Sequence, residues 1–178
     1  MPHVFEHASS GRSKCRGCGQ LIAKGELRFG ESLPNPFAEG EMTHWFHPAC
    51  AAYKRPEALL QGLGETQQDV PGREALESAS RRSLAQRRLP RIDGAERAPS
   101  SQARCRHCHE PIEKGGWRIR LVFHEEGTFA PGGYIHVACS KPYFETGDIL
   151  DQVLHFSRAL GADDREDLKR SFDKDERS

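Results

Sequence analysis

The chain has 178 residues, six cysteines and a formal net charge of zero, with 36% hydrophobic and 29% charged residues. This balance excludes nucleic-acid binding driven by bulk charge alone, and it leaves two small domains with thin cores that need a crosslink. No apolar run approaches the roughly 18 residues of a membrane span. Because the N-terminus also lacks the apolar stretch of a secretory signal, we expect an intracellular protein whose cysteines bind metal in preference to forming disulfides.

A repeat with a period of about ninety residues organises the chain. The stretch "CRGCGQLIAKGELR" at 15–28 aligns without a gap with "CRHCHEPIEKGGWR" at 105–118. Each copy is followed by a His-x-x-Cys pair. The repeat predicts two tandem modules, the first over residues 1–92 and the second over 104–178.

The predicted elements follow the same order in both modules. After the Cys-x-x-Cys pair, alternating stretches such as "ELRFG" and "WRIRLVF" predict strands. Helices are predicted after the last cysteine, in "PEALLQGL" and "PGREALESASRRSLAQRR" of the first module and in "DDREDLKRSF" of the second. The segment "RLPRIDGAERAPSSQ", rich in Pro, Gly, Ser and Ala, predicts a flexible linker over 93–103. The predicted fold is therefore small α+β, with a short antiparallel sheet and helices in each module.

The cysteines and two of the histidines form two zinc-ligand sets. Zinc is held tetrahedrally by thiolate and imidazole, and two ligands separated by two residues can reach one ion. The predicted ligands are Cys15, Cys18, His47 and Cys50 in the first module, and Cys105, Cys108, His136 and Cys139 in the second. Four protein ligands leave no open position, so both sites are expected to be structural, with two zinc ions per chain.

Two alternatives to this assignment stay open at the level of sequence. The six cysteines could be buried or reactive thiols without metal. His44, His107 and His109 lie close enough in sequence to compete with the chosen histidines. Only His47 and His136 stand three residues before a cysteine in both copies, which favours them as ligands.

The residues of the first module resemble the zinc finger of poly(ADP-ribose) polymerase type, a family that includes the N-terminal finger of DNA ligase III. The resemblance is carried by "GRSKCRGCGQLIAKGELRFGESLPNPFAEGEMTHWFHPAC" at 11–50, with its Gly-Arg before the first cysteine and its Trp-Phe pair before the histidine. The second copy departs from it: Gln102 stands where the first copy has Arg12, Tyr134-Ile135 replaces Trp45-Phe46, and the gap before the histidine is one residue shorter.

In this family the finger recognises DNA strand breaks, so the resemblance implies DNA contacts in the first module. Basic residues hold the backbone, because the Arg fork donates two hydrogen bonds to a phosphate. A hydrophobic pair covers the base pair that a break exposes. The implied backbone contacts are Arg12, Lys14, Arg16 and Arg28, and the implied stacking pair is Phe37 with Met42. Trp45, by contrast, is expected in the core.

The second module offers a comparable basic strip and one loop hydrophobe. The candidate DNA-binding residues there are Arg104, Arg106, Lys114, Arg118, Arg120 and Phe129. Glu125 and Glu126, which lie close to Phe129, would repel phosphate.

These observations predict a non-enzymatic protein that binds nicks, gaps or ends in DNA. No phosphate-binding loop, adenylation motif or Ser/His/Asp set is evident outside the fingers. We expect a monomer that lies with DNA in the cell, in the nucleus or the nucleoid, with DNA repair proteins as further partners. The alternative is a zinc-finger adaptor that mediates protein–protein interaction in a repair or regulatory complex, which the neutral charge and the acidic C-terminus would allow.

Overall fold

The structure, a computed structural model, describes residues 2–176. Its strands are β1 (Val4–His7), β2 (Leu27–Pro34), β3 (Glu41–Phe46), β4 (Arg91–Arg97), β5 (Trp117–Glu125) and β6 (Thr128–His136). Its helices are α1 (Pro48–Lys54), α2 (Pro56–Glu65), α3 (Arg73–Leu84), α4 (Ser140–Phe144), α5 (Leu150–His155) and α6 (Ala162–Glu176), with a 3₁₀ turn at Val137–Cys139. Across the described range, no helix combines the length and the apolar character that a membrane span requires.

The chain divides into two compact units. The first unit comprises the chain up to Leu84 together with His124–Phe129, and the second comprises Ala85–Phe123 and the chain from Ala130 onward. Each unit has a three-stranded antiparallel sheet with helices, so the predicted α+β class is confirmed.

In the first unit, strand order β1-β2-β3 builds a sheet whose inner face is aromatic. Phe5 pairs with Phe29 across β1 and β2, and Phe29 pairs with Phe46 across β2 and β3. All three phenylalanines are buried, together with Leu59 and Leu63 of α2. These apolar groups form the core against which the metal-binding segments are placed.

A proline stands at the start of both α1, which was not predicted, and α2. Pro48 and Pro56 occupy the first turn of α1 and α2, where a missing N–H costs nothing because that donor has no helical partner. The predicted helices in "PEALLQGL" and "PGREALESASRRSLAQRR" are confirmed as α2 and α3, the second ending at Leu84. The start of α1 also decides where His47 and Cys50 lie, since one precedes the helix and the other is in its first turn.

In the second unit, strand order β4-β5-β6 builds the sheet. The predicted helix in "DDREDLKRSF" is confirmed as α6. The pairing of β4 with β5 shifts register between Ile92 and Ala95. Gly94 lies in this irregularity at φ +96°, with the carbonyl oxygen of Phe156 only 2.4 Å from where a Cβ would be, so only glycine fits. The buried core contains Ile92, Ile112, Ile119, Leu121, Ile135, Phe144, Ile149, Val153 and Leu168.

The two units repeat the same hydrogen bonds ninety residues apart. The Cys15 N–H donates to the Gln20 carbonyl at 2.8 Å, and the Cys105 N–H donates to the Glu110 carbonyl at 2.9 Å. Likewise, strand partners Glu6 and Arg28 are repeated as Glu96 and Arg118. Strand β4 is therefore the counterpart of β1.

The predicted linker over 93–103 is wrong at its start, because residues 93–97 belong to strand β4. Gly, Ala and Pro gave this segment a linker-like composition, but Ile92 and Ala95 are buried in the core of the second unit. Tertiary pairing with β5 overrides the weak local strand signal.

Candidate metal centres and nucleic-acid interface

The first metal centre joins a tight turn to the start of a helix. Cys15 and Cys18 lie in a tight turn of the chain that the bridge between Lys14 and Leu21 closes. His47 immediately precedes α1, and Cys50 lies within its first turn. The ligand atoms of the four residues lie within 4.8 Å of one another.

The second centre has the same construction with a 3₁₀ turn in place of the helix. Cys105 and Cys108 flank the turn, His136 precedes the 3₁₀ turn, and Cys139 ends it. Their ligand atoms also lie within 4.8 Å of one another. Both predicted ligand sets are thus brought together. Among the described residues, His44, His107 and His109 lie outside these groups.

Both donor sets fit zinc. Three thiolate sulfurs about 2.3 Å and one imidazole nitrogen about 2.0 Å from a common centre make the closed tetrahedral site that structural zinc prefers. Backbone N–H groups support the sulfurs: the N–H of His47 donates to Cys15 Sγ at 3.3 Å, and the N–H of His136 donates to Cys105 Sγ at 3.4 Å. Each centre can therefore hold one zinc ion without further ligands.

The histidine rings are oriented so that Nδ1 faces the cysteines. Nδ1 lies 3.4 Å from Cys18 Sγ in His47 and 3.4 Å from Cys108 Sγ in His136. The opposite nitrogen, Nε2, lies 3.7 Å from a Glu26 carboxylate oxygen in the first centre and 3.2 Å from the Pro111 carbonyl in the second. Such an outer partner fixes the ring and raises its basicity as a ligand.

The side chains of each ligand group shift one another's pKa values, some upward and some downward. Hydrogen bonding to Cys15 and then Cys18 raises the pKa of His47 to about 10, while hydrogen bonding to Cys15 lowers the pKa of Cys18. In the second group, burial raises the pKa of Cys139 to about 12. Burial also opposes ionisation of Cys105, but backbone N–H donors outweigh it and lower that pKa to about 7. Zinc binds cysteine as thiolate and histidine as neutral imidazole, so its binding would release the protons that these side chains hold.

Lys54 is a contributor to the first centre that the sequence patterns did not reveal. It is 2% exposed at the end of α1, and its Nζ donates to the Gly17 carbonyl at 2.5 Å. Gly17 lies between the two cysteines of the turn, where a Cβ would come within 2.8 Å of Cys50 Cβ. The buried ammonium therefore ties α1 to the metal-binding turn beside a site with three thiolates.

Two of the predicted DNA-contacting arginines are buried parts of the sheet. Arg28 is 7% exposed, stacks over the Trp45 ring at 3.7 Å and pairs with Glu6 at 2.6 Å. Arg118 repeats this arrangement in the second unit, over the Tyr134 ring at 3.7 Å and with Glu96 at 3.1 Å. Alignment at ninety residues would have revealed both glutamates, and their presence shows that these arginines have intramolecular partners.

Replacing Arg28 with alanine is expected to lower the free energy of unfolding of the first unit by about 1–3 kcal/mol, because stacking on Trp45 and the bonds to Glu6 and Ser13 are lost together. Replacing exposed Arg12 should change it by less than about 0.5 kcal/mol. Urea unfolding followed by circular dichroism measures both. Equal stability of the two variants would show that the buried arrangement of Arg28 contributes nothing.

The other predicted basic residues are accessible to differing degrees. The side chains exposed to solvent are Arg12, Lys14, Arg16, Arg104, Arg106 and Lys114. Arg120 is half-buried, and its guanidinium donates to the Asp93 carbonyl at 2.9 Å. The six exposed side chains are therefore accessible to a ligand, unlike the buried Arg28 and Arg118.

The hydrophobic candidates differ sharply in exposure. Phe37 is 95% exposed in the loop between β2 and β3, where its N–H donates to Asn35 Oδ1 at 2.9 Å. Met42 on β3 is half-buried, with its methyl group near Gly127. Phe129 is half-buried as well, and its ring packs edge-on against Phe46 at 6.3 Å. Of these three candidates, Phe37 is the one whose side chain is almost fully exposed to solvent.

Residues 6–87 match the family described as the poly(ADP-ribose) polymerase and DNA-ligase zinc-finger region. This range contains the whole first centre and the arginine–tryptophan stack. Residues 6–87 are a zinc finger of the poly(ADP-ribose) polymerase type. The first poly(ADP-ribose) polymerase-type finger thus spans from β1 to just beyond α3.

Relatives of this finger extend the similarity over both units. Poly [ADP-ribose] polymerase 1 of Gallus gallus is 29% identical over 194 aligned residues, covering 96% of this chain and 19% of its own length. Poly [ADP-ribose] polymerase 1 of Xenopus laevis is 32% identical over 63% of this chain and 12% of its own. Polynucleotide 3'-phosphatase ZDP of Arabidopsis thaliana is 26% identical over 95% of this chain and 28% of its own. The chain spans less than a third of each relative, and the family match covers a zinc-finger region, so no catalytic activity is assigned to it.

Proposed function

We propose that this protein is a zinc-dependent DNA-binding protein that recognises strand breaks through its first poly(ADP-ribose) polymerase-type finger. The observation that carries the proposal is the 95% exposure of Phe37. An exposed phenylalanine does not gain the free energy of leaving water that a buried one gains, and it is available to stack on a flat apolar face. Intact duplex hides such faces within the helix, whereas a nick or an end exposes one.

Three cations close in sequence to the first metal-binding turn suit a phosphate backbone. Arg12, Lys14 and Arg16 are exposed on the segment that enters the first centre. With zinc fixing this segment against α1, their positive charges are held close together and can release counterions from adjacent phosphates. The backbone contacts would supply affinity and register, and Phe37 would supply the preference for a break.

Arg28 has a supporting role in this proposal. Its guanidinium lies over Trp45, and Trp45 precedes the ligand His47 by two residues. Because Arg28 is only 7% exposed, no more than an edge of it is available to a phosphate, so its main effect is to hold the strand that leads to the metal centre.

The second unit extends the proposal to two tandem fingers. Its Cys3His group and its Arg118–Tyr134 stack repeat the first unit. Gln102 takes the place of Arg12. Phe129, the hydrophobic candidate of the second copy, is grouped with the first unit and packs there against Phe46, so it is less accessible than Phe37, which is 95% exposed. We therefore propose that the second unit holds zinc and contributes less to break recognition. We also propose that the protein acts as a monomer, lies with DNA in the nucleus, and brings repair proteins to the break.

The experiment that tests this function compares binding of the zinc-loaded chain to nicked and closed-circular DNA at two salt concentrations. A preference for nicked DNA is expected. Arg12→Ala should weaken binding to both forms and reduce the salt slope by roughly 0.9 for the lost phosphate contact, while Gln102→Ala should have little effect. Equal binding of the wild-type chain to both forms would contradict break recognition and favour a protein-interaction adaptor. A larger effect of Gln102→Ala would reverse the roles of the two units.

A further inference from the structure

A cavity of about 580 Å³ lies within the second unit. None of the four zinc-ligand residues of that unit lines it. It is lined by residues 87–90, Arg106, His107, His109, Phe123 and Tyr143, and we call it the arginine–histidine cavity. Its size is in the range of small-molecule sites, about 300–1,000 Å³. One nucleotide is a ligand of suitable volume.

The charge of the cavity favours an anion. Arg87, Arg88 and Arg106 contribute three guanidinium groups, and none of the lining residues is acidic. Glu145 pairs with Arg87 at 3.0 Å and balances one of these charges. The guanidinium charges of Arg88 and Arg106 therefore remain for a phosphate group, although Arg106 Nη1 also donates to the Gly132 carbonyl at 2.9 Å.

Flat and apolar groups lie beside these cations. The Arg88 guanidinium is 5.5 Å from the Tyr143 ring centroid, and the Arg106 guanidinium is 5.2 Å from that of Phe123. Leu89, which also lines the cavity, is 84% exposed. Proteins bind unpaired bases by stacking them on aromatic side chains and guanidinium planes, so this combination suits a base attached to a phosphate.

Two histidines distinguish this cavity from the equivalent place in the first unit. At the ninety-residue offset, His107 corresponds to Gly17 and His109 to Gly19. The backbone of Gly19 has φ +76°, and His109 has φ +66°, in the left-handed region where glycine is unstrained. The second unit therefore places an imidazole, which lines the cavity, at a position where the first unit has glycine in the same backbone conformation.

We propose that the arginine–histidine cavity binds one nucleotide of single-stranded DNA, with its phosphate on Arg88 and Arg106 and its base against Leu89 and the histidine rings. This binding does not depend on break recognition by Phe37. The second unit would then bind a single-stranded nucleotide independently of the first unit.

The test uses the zinc-loaded full chain and a fluorescent oligothymidylate of about four nucleotides, near the smallest site size of single-strand binders. Fluorescence anisotropy should show binding that Arg88→Ala weakens about tenfold. The double variant His107→Gly/His109→Gly, which installs the glycines of the first unit, should weaken it similarly. Arg158→Ala, which removes an exposed charge of the same unit outside the cavity, is the matched control and should leave it unchanged. Zinc content is measured for each variant.

The ligand is defined by two further probes. An abasic oligonucleotide with the same number of phosphates should bind about tenfold more weakly, because the stacking contact is missing. A phosphoserine peptide should bind more weakly than the oligonucleotide. Wild-type affinity in Arg88→Ala, equal binding of the abasic strand, or tighter binding of the phosphopeptide would each overturn the proposal.

If the histidine variant loses zinc, the oligothymidylate affinity of Arg88→Ala alone tests the proposal, because Arg88 lies outside the metal-binding turn. The ratio of affinities for nicked and closed-circular DNA should be the same in all these variants. Failure of break recognition in the wild-type chain, together with intact oligonucleotide binding, would refute the proposed function and leave the cavity proposal standing.

Discussion

Removal of zinc is expected to unfold both units. Structural zinc contributes about 10–16 kcal/mol in small zinc-binding peptides, which is as large as the total stability of about 5–15 kcal/mol of a typical domain. Elemental analysis should give two zinc ions per chain, and a strong chelator should abolish the native far-ultraviolet circular dichroism. Retention of the native spectrum after complete loss of zinc would contradict the assignment of structural sites.

The two tryptophans allow each unit to be followed separately. Trp45 lies in the first unit under Arg28, and Trp117 lies in the second, where its indole N–H donates to Asp167 at 2.9 Å. With Trp117→Phe as background, Cys50→Ala should remove one zinc ion and shift the Trp45 emission to that of an exposed indole. With Trp45→Phe as background, Cys139→Ala should do the same for Trp117. Loss of both zinc ions from either cysteine variant would show that the centres are not independent.

Replacing Phe37 and Met42 together with serine is expected to erase most of the preference for nicked over closed-circular DNA. Stacking on bases is worth about 1–3 kcal/mol per contact, which corresponds to roughly five- to 150-fold in affinity. Binding to closed-circular DNA should persist, since exposed Arg12, Lys14 and Arg16 are untouched. Parallel titrations of the two DNA forms give the ratio directly.

Single substitutions separate the two side chains. Phe37→Ser should account for most of the loss, because Phe37 is 95% exposed while Met42 is half-buried near Gly127. Leu21→Ser is the matched control, since Leu21 is an apolar residue of the same unit that is 57% exposed and lies outside the loop. A double variant that folds, binds zinc and keeps the original ratio would refute stacking by this loop.

The metal centres were largely predictable because their signal is local and repeated. Cys15 and Cys18 reach one ion through a tight turn, and His47 and Cys50 reach it through the start of a helix, so spacing alone brings each pair together. The repeat at 105–139 then distinguished His47 and His136 from neighbouring histidines. Strand β4 was missed because its signal is non-local: Gly94 and Ala95 have no strand preference, and only pairing with β5 and burial of Ile92 make the segment a strand.

The sequence by itself determined the two zinc-ligand sets, the tandem repeat and the α+β class, since these depend on ligand spacing and hydrophobic periodicity along the chain. The tertiary structure decided which charged and aromatic side chains remain accessible. Arg12 and Arg28 are equally basic in sequence, but pairing of β1 with β2 brings Glu6 to Arg28 and buries it, while Arg12 stays exposed. Phe37 lies in the loop after β2 and Phe129 lies near the start of β6. Phe129 packs against Phe46, whereas Phe37 is 95% exposed. Exposure depends on contacts between residues distant in sequence, and it is fixed only when the chain has folded.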